Sequence, residues 1–121
     1  MNIKVFDYRF SIIKVDNINN IDINKEFFFY SKTDKEISIV CKEEDEVKEY
    51  KEISRRWKCF RIEGTLDFSL IGIIKKISTI LANNNIGIFV VSTYDTDYIF
   101  VKEENLDKTL VLLKENNYEI I

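Results

Sequence analysis

Residues 57–121 switch between two hydrophobic periods in an order that few folds accept. Residues 57–63 set Trp57, Cys59 and Phe60 into a short β-rich run. Residues 68–83 change to the helical period, with Leu70, Ile73, Ile74, Ile77, Ile80 and Leu81 on one wide apolar stripe. Asn83-Asn84-Asn85 follows, and asparagine tolerates the left-handed conformation that closes a helix. Residues 86–92 are nearly continuous β-branched and aromatic side chains, the pattern of a central strand buried on both faces. A turn at 93–97 leads to a returning strand at 98–102. Acids at 103–104 precede a second helix marked by Leu106, Leu110 and Leu113, which Asn116-Asn117 closes before a last strand at 118–121. Strand, helix, strand, strand, helix, strand predicts an α+β chain of the ferredoxin-like βαββαβ kind, with an antiparallel sheet and its helices on one face.

The first half repeats part of this. Residues 10–15, 27–30 and 36–41 read as strands, with Ser31-Lys32-Thr33-Asp34-Lys35 as the turn between the last two. Shifted by 61 positions, Ser31 meets Ser92, Asp34 meets Asp95, Glu36 meets Asp97, Val40 meets Val101 and Glu43 meets Glu104. A repeat of this kind predicts two related units: an abbreviated one over residues 1–54 and a fuller one over 55–121. Only about a dozen residues separate the first two strands, room for a turn or two of helix, and the charged stretch 46–55 reads as a linker or short helix.

Composition excludes several functions. Eighteen basic and 21 acidic side chains are interspersed for a net charge of −3, so neither duplex nucleic acid nor an anionic membrane is an expected partner. The one tight basic cluster, Arg55-Arg56-Trp57-Lys58, is followed by Glu63 and reads as solvated surface. There is no histidine, and Cys41 and Cys59 sit in apolar runs, so no zinc-type ligand set exists and no cofactor is called for. The start of the sequence lacks a signal-peptide pattern, and no apolar run reaches the ~18 residues of a membrane span, which makes the expected location cytoplasmic. Histidine, the commonest general base, is absent, no nucleophile elbow, phosphate loop or cysteine–base pairing appears, and nothing in the sequence supports acid–base work by carboxylates alone, so the expectation is that the chain is not an enzyme.

The residues left to carry chemistry form two groups. Gly64, Thr65, Leu66, Asp67, Phe68 and Ser69 lie where a strand gives way to the isoleucine-rich helix. Asp67 and Ser69 suit an N-cap, and free main-chain N–H groups there would also hold a ligand carboxylate. Gly72, placed one turn into that helix, would cost about 1 kcal/mol against alanine. Ser92, Thr93, Asp95 and Asp97 line the turn after the central strand; the aspartates serve as turn formers or as acceptors for a ligand ammonium. A D-x-D pair alone supplies too few oxygens for Mg²⁺ or Ca²⁺, so no metal site is expected.

Glu63-Gly64-Thr65-Leu66-Asp67-Phe68-Ser69-Leu70-Ile71-Gly72, with Ser92-Thr93-Tyr94-Asp95-Thr96-Asp97-Tyr98 and Val101-Lys102-Glu103-Glu104, resembles a family of small bacterial proteins with tandem ACT-like domains. These are related to the ACT domains of aspartate kinases and of the cytosolic arginine sensor of animal TOR signalling. Residues 31–41 resemble the same family. The resemblance implies two tandem ACT-like units, a homodimer, and sensing of a small molecule, usually an amino acid. It places the ligand at residues 64–69, with 88–93 and 95–97 as neighbours. The alternatives are a dimerisation or protein-interaction module without a small ligand, and, ranked last, an acylphosphatase-like enzyme, for which Asp67 stands where an arginine would be wanted.

Overall fold

The computed structural model describes residues 1–63 and 72–121. They divide into two compact units, Met1–Asp7 with Lys58–Ile121, and Tyr8–Trp57. This differs from a division at 54/55. The reason is a strand at Asn2–Val5, β1, whose partners come from residues 60–62 and 119–120.

In the first of these units the order of elements is β1, the C-terminal part of β5 (Glu52–Ile62), α1 (Ile73–Ala82), β6 (Phe89–Ser92), β7 (Asp97–Lys102), α2 (Leu106–Glu115) and β8 (Glu119–Ile120). Strand neighbours run β6, β7, β5, β1, β8. Removing β1 leaves the order of a ferredoxin-like sheet. With β1 present the sheet is mixed: β1 is antiparallel to β5, Ile3 opposite Ile62, but parallel to β8, Ile3 beside Ile120. The strictly antiparallel sheet expected from the sequence is corrected here.

Alternation along the strands and the helical period along α1 and α2 converge on one core. Ile3, Phe60, Ile62, Ile99 and Val101 meet Ile77, Leu81 and Leu113, so both helices cover the same sheet face. Each helix stops at an asparagine in the left-handed region, Asn85 at φ 59° and Asn117 at φ 69°. In both, the next residue's N–H reaches back five positions, Ile86 to the Leu81 carbonyl and Tyr118 to the Leu113 carbonyl, each at 3.0 Å. The helix ends read from the asparagines are therefore where they were expected. The strand expected at 86–92 is shorter and, among the described residues, pairs with β7 only. It is half-buried rather than central.

The unit Tyr8–Trp57 contains β2 (Phe10–Val15), β3 (Phe29–Lys32), β4 (Ile37–Lys42), a single 3-10 turn at Glu43–Asp45, and the first part of β5. The neighbours run β3, β4, β2, β5, all antiparallel. That is again the ferredoxin order, with connecting segments where helices would stand. Ile21, Phe28 and Val47 from those segments pack on Ile13, Val15, Ile39 and Cys41. Residues 46–55, expected as a linker or short helix, instead lead into β5. β2 and β5 slip register between Phe10 and Ile12, and Arg56 in that stretch takes φ 64°, the mark of a bulge.

Elements of the two units correspond at an offset of 60 residues, where the sequence comparison used 61. β3 falls on β6 (Phe29 on Phe89), β4 on β7 (Ile37 on Asp97), and the turn at Glu43–Asp45 on one at Glu103–Asn105. The burial sequence of β4 matches that of β7 position by position. A shift of one residue would match core-facing with outward-facing side chains, because strand side chains alternate.

Candidate functional site

The segment between β5 and α1 was singled out for its glycine and its polar helix start. Gly64, Thr65, Leu66, Asp67, Phe68 and Ser69 all lie outside the described residues. Its two flanks are described, and each has a distinct chemistry.

On the upstream side, β5 ends at Ile62, and the β6–β7 turn is tied to it. Thr96 is buried, and its Oγ1 donates to the Ile62 carbonyl at 2.8 Å. The Thr93 N–H closes the turn by donating to the Thr96 carbonyl at 2.8 Å, and the Thr93 hydroxyl donates to the same oxygen at 3.1 Å. Ser92 donates to the Asp97 carboxylate at 2.5 Å. The structure thus brings Ser92, Thr93 and Asp97 together as the sequence suggested, but the Asp97 carboxylate already holds a partner. Asp95 is exposed and its carboxylate accepts no hydrogen bond among the described residues. The residue that anchors this turn, Thr96, was missed. A threonine between two turn aspartates looks like solvent-facing turn chemistry, and only the sheet shows its hydroxyl pointing inward.

One residue before Ile62, Arg61 is gripped on several sides. Its guanidinium lies 5.0 Å from the Phe6 ring centroid and 5.8 Å from that of Tyr98. It donates to the Tyr98 hydroxyl at 3.4 Å and to the Glu63 carboxylate at 3.1 Å. The Tyr98 and Glu63 bonds hold Arg61 charged against the cost of its partial burial. Glu63, the last described residue before the segment, is therefore fixed by an arginine.

On the downstream side, Gly72 is the N-cap of α1 and takes φ 87°, with no side chain capping the helix among the described residues. Gly72 is thus not one turn inside the helix. It stands at its start, in a left-handed conformation that glycine adopts without strain. A groove of about 810 Å³ opens there. Ile73, Ile80 and Tyr118 give it apolar walls, and Lys75, Lys76 and Thr79 give it polar ones. Burial pushes the Tyr118 phenol above its ordinary value. Among the described residues neither lysine has an ion-pair partner, and the first turn of α1 carries no acid. The groove therefore combines apolar surface with positive charge, which suits a small ligand bearing a carboxylate.

The other unit has a groove of about 670 Å³ between residues 15–25 and 44–50. Asp16, Asp22, Glu44, Asp45, Glu46 and Glu49 line it. Burial would raise the Glu46 carboxyl, but hydrogen bonds from Arg55 and Ser11 hold it below its ordinary value. Among the described residues no three potential ligands come together as a metal site. No described helix is long and apolar enough to cross a membrane.

A family model described as the ACT domain matches residues 52–115. A protein of Agobacterium tumefaciens is similar over 99% of this chain and 91% of its own, with 29% identity and a TM-score of 0.89. A Vibrio cholerae protein of unknown function, described as a possible transport protein, has 16% identity and a TM-score of 0.71 over 94% of this chain and 88% of its own. The aspartate kinase of Clostridium acetobutylicum, described as an allosteric enzyme, has 13% identity and a TM-score of 0.63. That match covers 87% of this chain and 32% of the kinase. The last two likenesses are likenesses of fold. No curated protein sequence matches.

Proposed function

The chain belongs to the ACT domain family, and on that premise we propose that it is a regulatory module that binds an amino acid or a similar small ligand beside the start of α1 and catalyses no reaction. ACT domains are in general regulatory modules that bind small ligands. The observation that carries the reading here is the groove opening at Gly72, where apolar walls meet two lysines that have no ion-pair partner among the described residues. In this reading a ligand carboxylate is received by Lys75, Lys76 and main-chain N–H groups of residues 64–69. Its ammonium is received by Asp95, or by Asp97 in exchange for Ser92. We further propose that Tyr8–Trp57 is a second, helix-poor ACT-like unit, on the support of its strand order and the 60-residue repeat. A homodimer in the cytoplasm, without nucleic acid or membrane as partner, completes the proposal.

Thermal melts in the presence of each standard amino acid test it. A ligand at a hundred times its Kd stabilises the folded chain by about 2.7 kcal/mol, a shift of several degrees. At least one amino acid is expected to give such a shift. A flat melting temperature across the whole set refutes ligand binding and leaves a packing module.

A further inference from the structure

We propose that Tyr8 and Phe27, braced by Phe10, form an aromatic recess for a weakly hydrated organic cation, and that Lys42 is its resident occupant and gate. The recess lies within the unit Tyr8–Trp57, well away in sequence from the groove at α1. Three rings are in mutual contact there. Tyr8 and Phe27 stand 5.6 Å apart at 51°, while Phe10 meets Tyr8 at 6.3 Å and Phe27 at 6.0 Å, edge to face in both cases. The Lys42 ammonium sits 4.1 Å from the Tyr8 centroid and 5.8 Å from that of Phe27. The Glu44 carboxylate is 3.9 Å from the same nitrogen. Two aromatic faces and a carboxylate around one nitrogen is the arrangement by which proteins recognise alkylated ammonium groups.

Two features set this apart from ordinary packing. Phe27 takes φ 54°, a conformation that an aromatic residue adopts only against a steric penalty. The 60-residue repeat matches Phe27 with Gly87, which has no positive φ, so the chain path at this point does not demand it. The strain instead delivers a ring to the ammonium. The edge of the recess meets solvent, since Tyr8 is 40% exposed, while the Lys42 side chain that fills it is largely covered. A primary ammonium such as Lys42 is strongly hydrated and gives up more on entering an aromatic recess than a methylated one does. A methylated ammonium can therefore displace Lys42, which swings out toward water while Glu44 remains beside the incoming charge.

Titration with tetramethylammonium chloride, against sodium chloride at equal ionic strength, tests this. Aromatic NMR resonances of the whole chain are the readout, with Lys42→Met, Tyr8→Leu and Phe27→Leu alongside the wild type. Saturable shifts confined to the Tyr8, Phe10 and Phe27 rings are expected. Lys42→Met should tighten binding about fivefold by removing the internal competitor, and each ring variant should abolish saturation. Circular dichroism shows which ring variants remain folded, and Lys42→Met tests the gate independently of them. Shifts that grow linearly without saturating, or a Lys42→Met chain that binds no tighter than wild type, overturn the proposal.

Discussion

Thr96→Val is the substitution whose effect the structure specifies most closely. Valine keeps the volume and β-branching of threonine, so packing and strand propensity are nearly unchanged. What is lost is one hydroxyl, which donates at 2.8 Å to the Ile62 carbonyl beside a fully buried side chain. A neutral hydrogen bond contributes about 1 kcal/mol net, and a buried acceptor stripped of its donor costs about 1–3 kcal/mol. The expected loss is about 1–2 kcal/mol, or a fall in Tm of about 4–8 °C for a chain of this size. Thr93→Val is the matched control. The Thr93 hydroxyl donates to a carbonyl that the Thr93 N–H already serves at 2.8 Å, so its removal should cost less than about 0.5 kcal/mol. Urea unfolding of both variants by circular dichroism gives the two values. If Thr96→Val costs no more than Thr93→Val, the β6–β7 turn is not anchored to the end of β5 as described.

Two further outcomes follow from other positions. Gly72→Ala should destabilise by about 1 kcal/mol through its φ of 87°, because a methyl at this site meets no atom within 4 Å among the described residues; a denaturant titration in which alanine is neutral would show that α1 starts differently. The two buried thiols should make the fold alkali-sensitive. Burial, helped by the Asp45 and Glu46 charges, pushes Cys41 from the ordinary 9.0 up to about 12, and burial pushes Cys59 up as well. Below pH 9.0 both states keep their protons and stability is level. Above it the unfolded chain releases protons that the folded chain retains, so stability falls by about 1.4 kcal/mol per pH unit per thiol until the folded thiols titrate. Denaturant midpoints measured on either side of that value check the sign, and Cys41→Ala should halve the slope.

Much of the unit containing α1 and α2 was legible because its signals are local. Ile73, Ile74, Ile77, Ile80 and Leu81 at helical spacing need no partner to announce α1, and the asparagines at 85 and 117 act on their own helix ends. The long-range features were not legible. Nothing in Asn2–Val5 states that it pairs with strands ending at residues 62 and 120, since four residues are too few for a period to show. The correspondence between the two halves shows in the letters one residue out of register. Ser31/Ser92 and Val40/Val101 coincide by type at 61, whereas side-chain direction fixes 60, and direction is invisible in a string of letters. At the candidate site, Ser92, Thr93 and Asp97 could be read as a group from turn chemistry. Thr96, Arg61 and the lysine-lined groove depend on which side of a strand or helix each side chain emerges from.

The placement of β1 has a consequence for the order of assembly. Ile3 and Val5 dock on residues 60–62, so a search for those partners by an open chain closes a loop of more than fifty residues, costing about 3.5 kcal/mol of chain entropy. Phe10 and Trp57 are themselves paired within the intervening unit. Once that unit has formed, it works as a clasp: its two ends emerge side by side, and β1 has only the few residues between Val5 and Phe10 left to close.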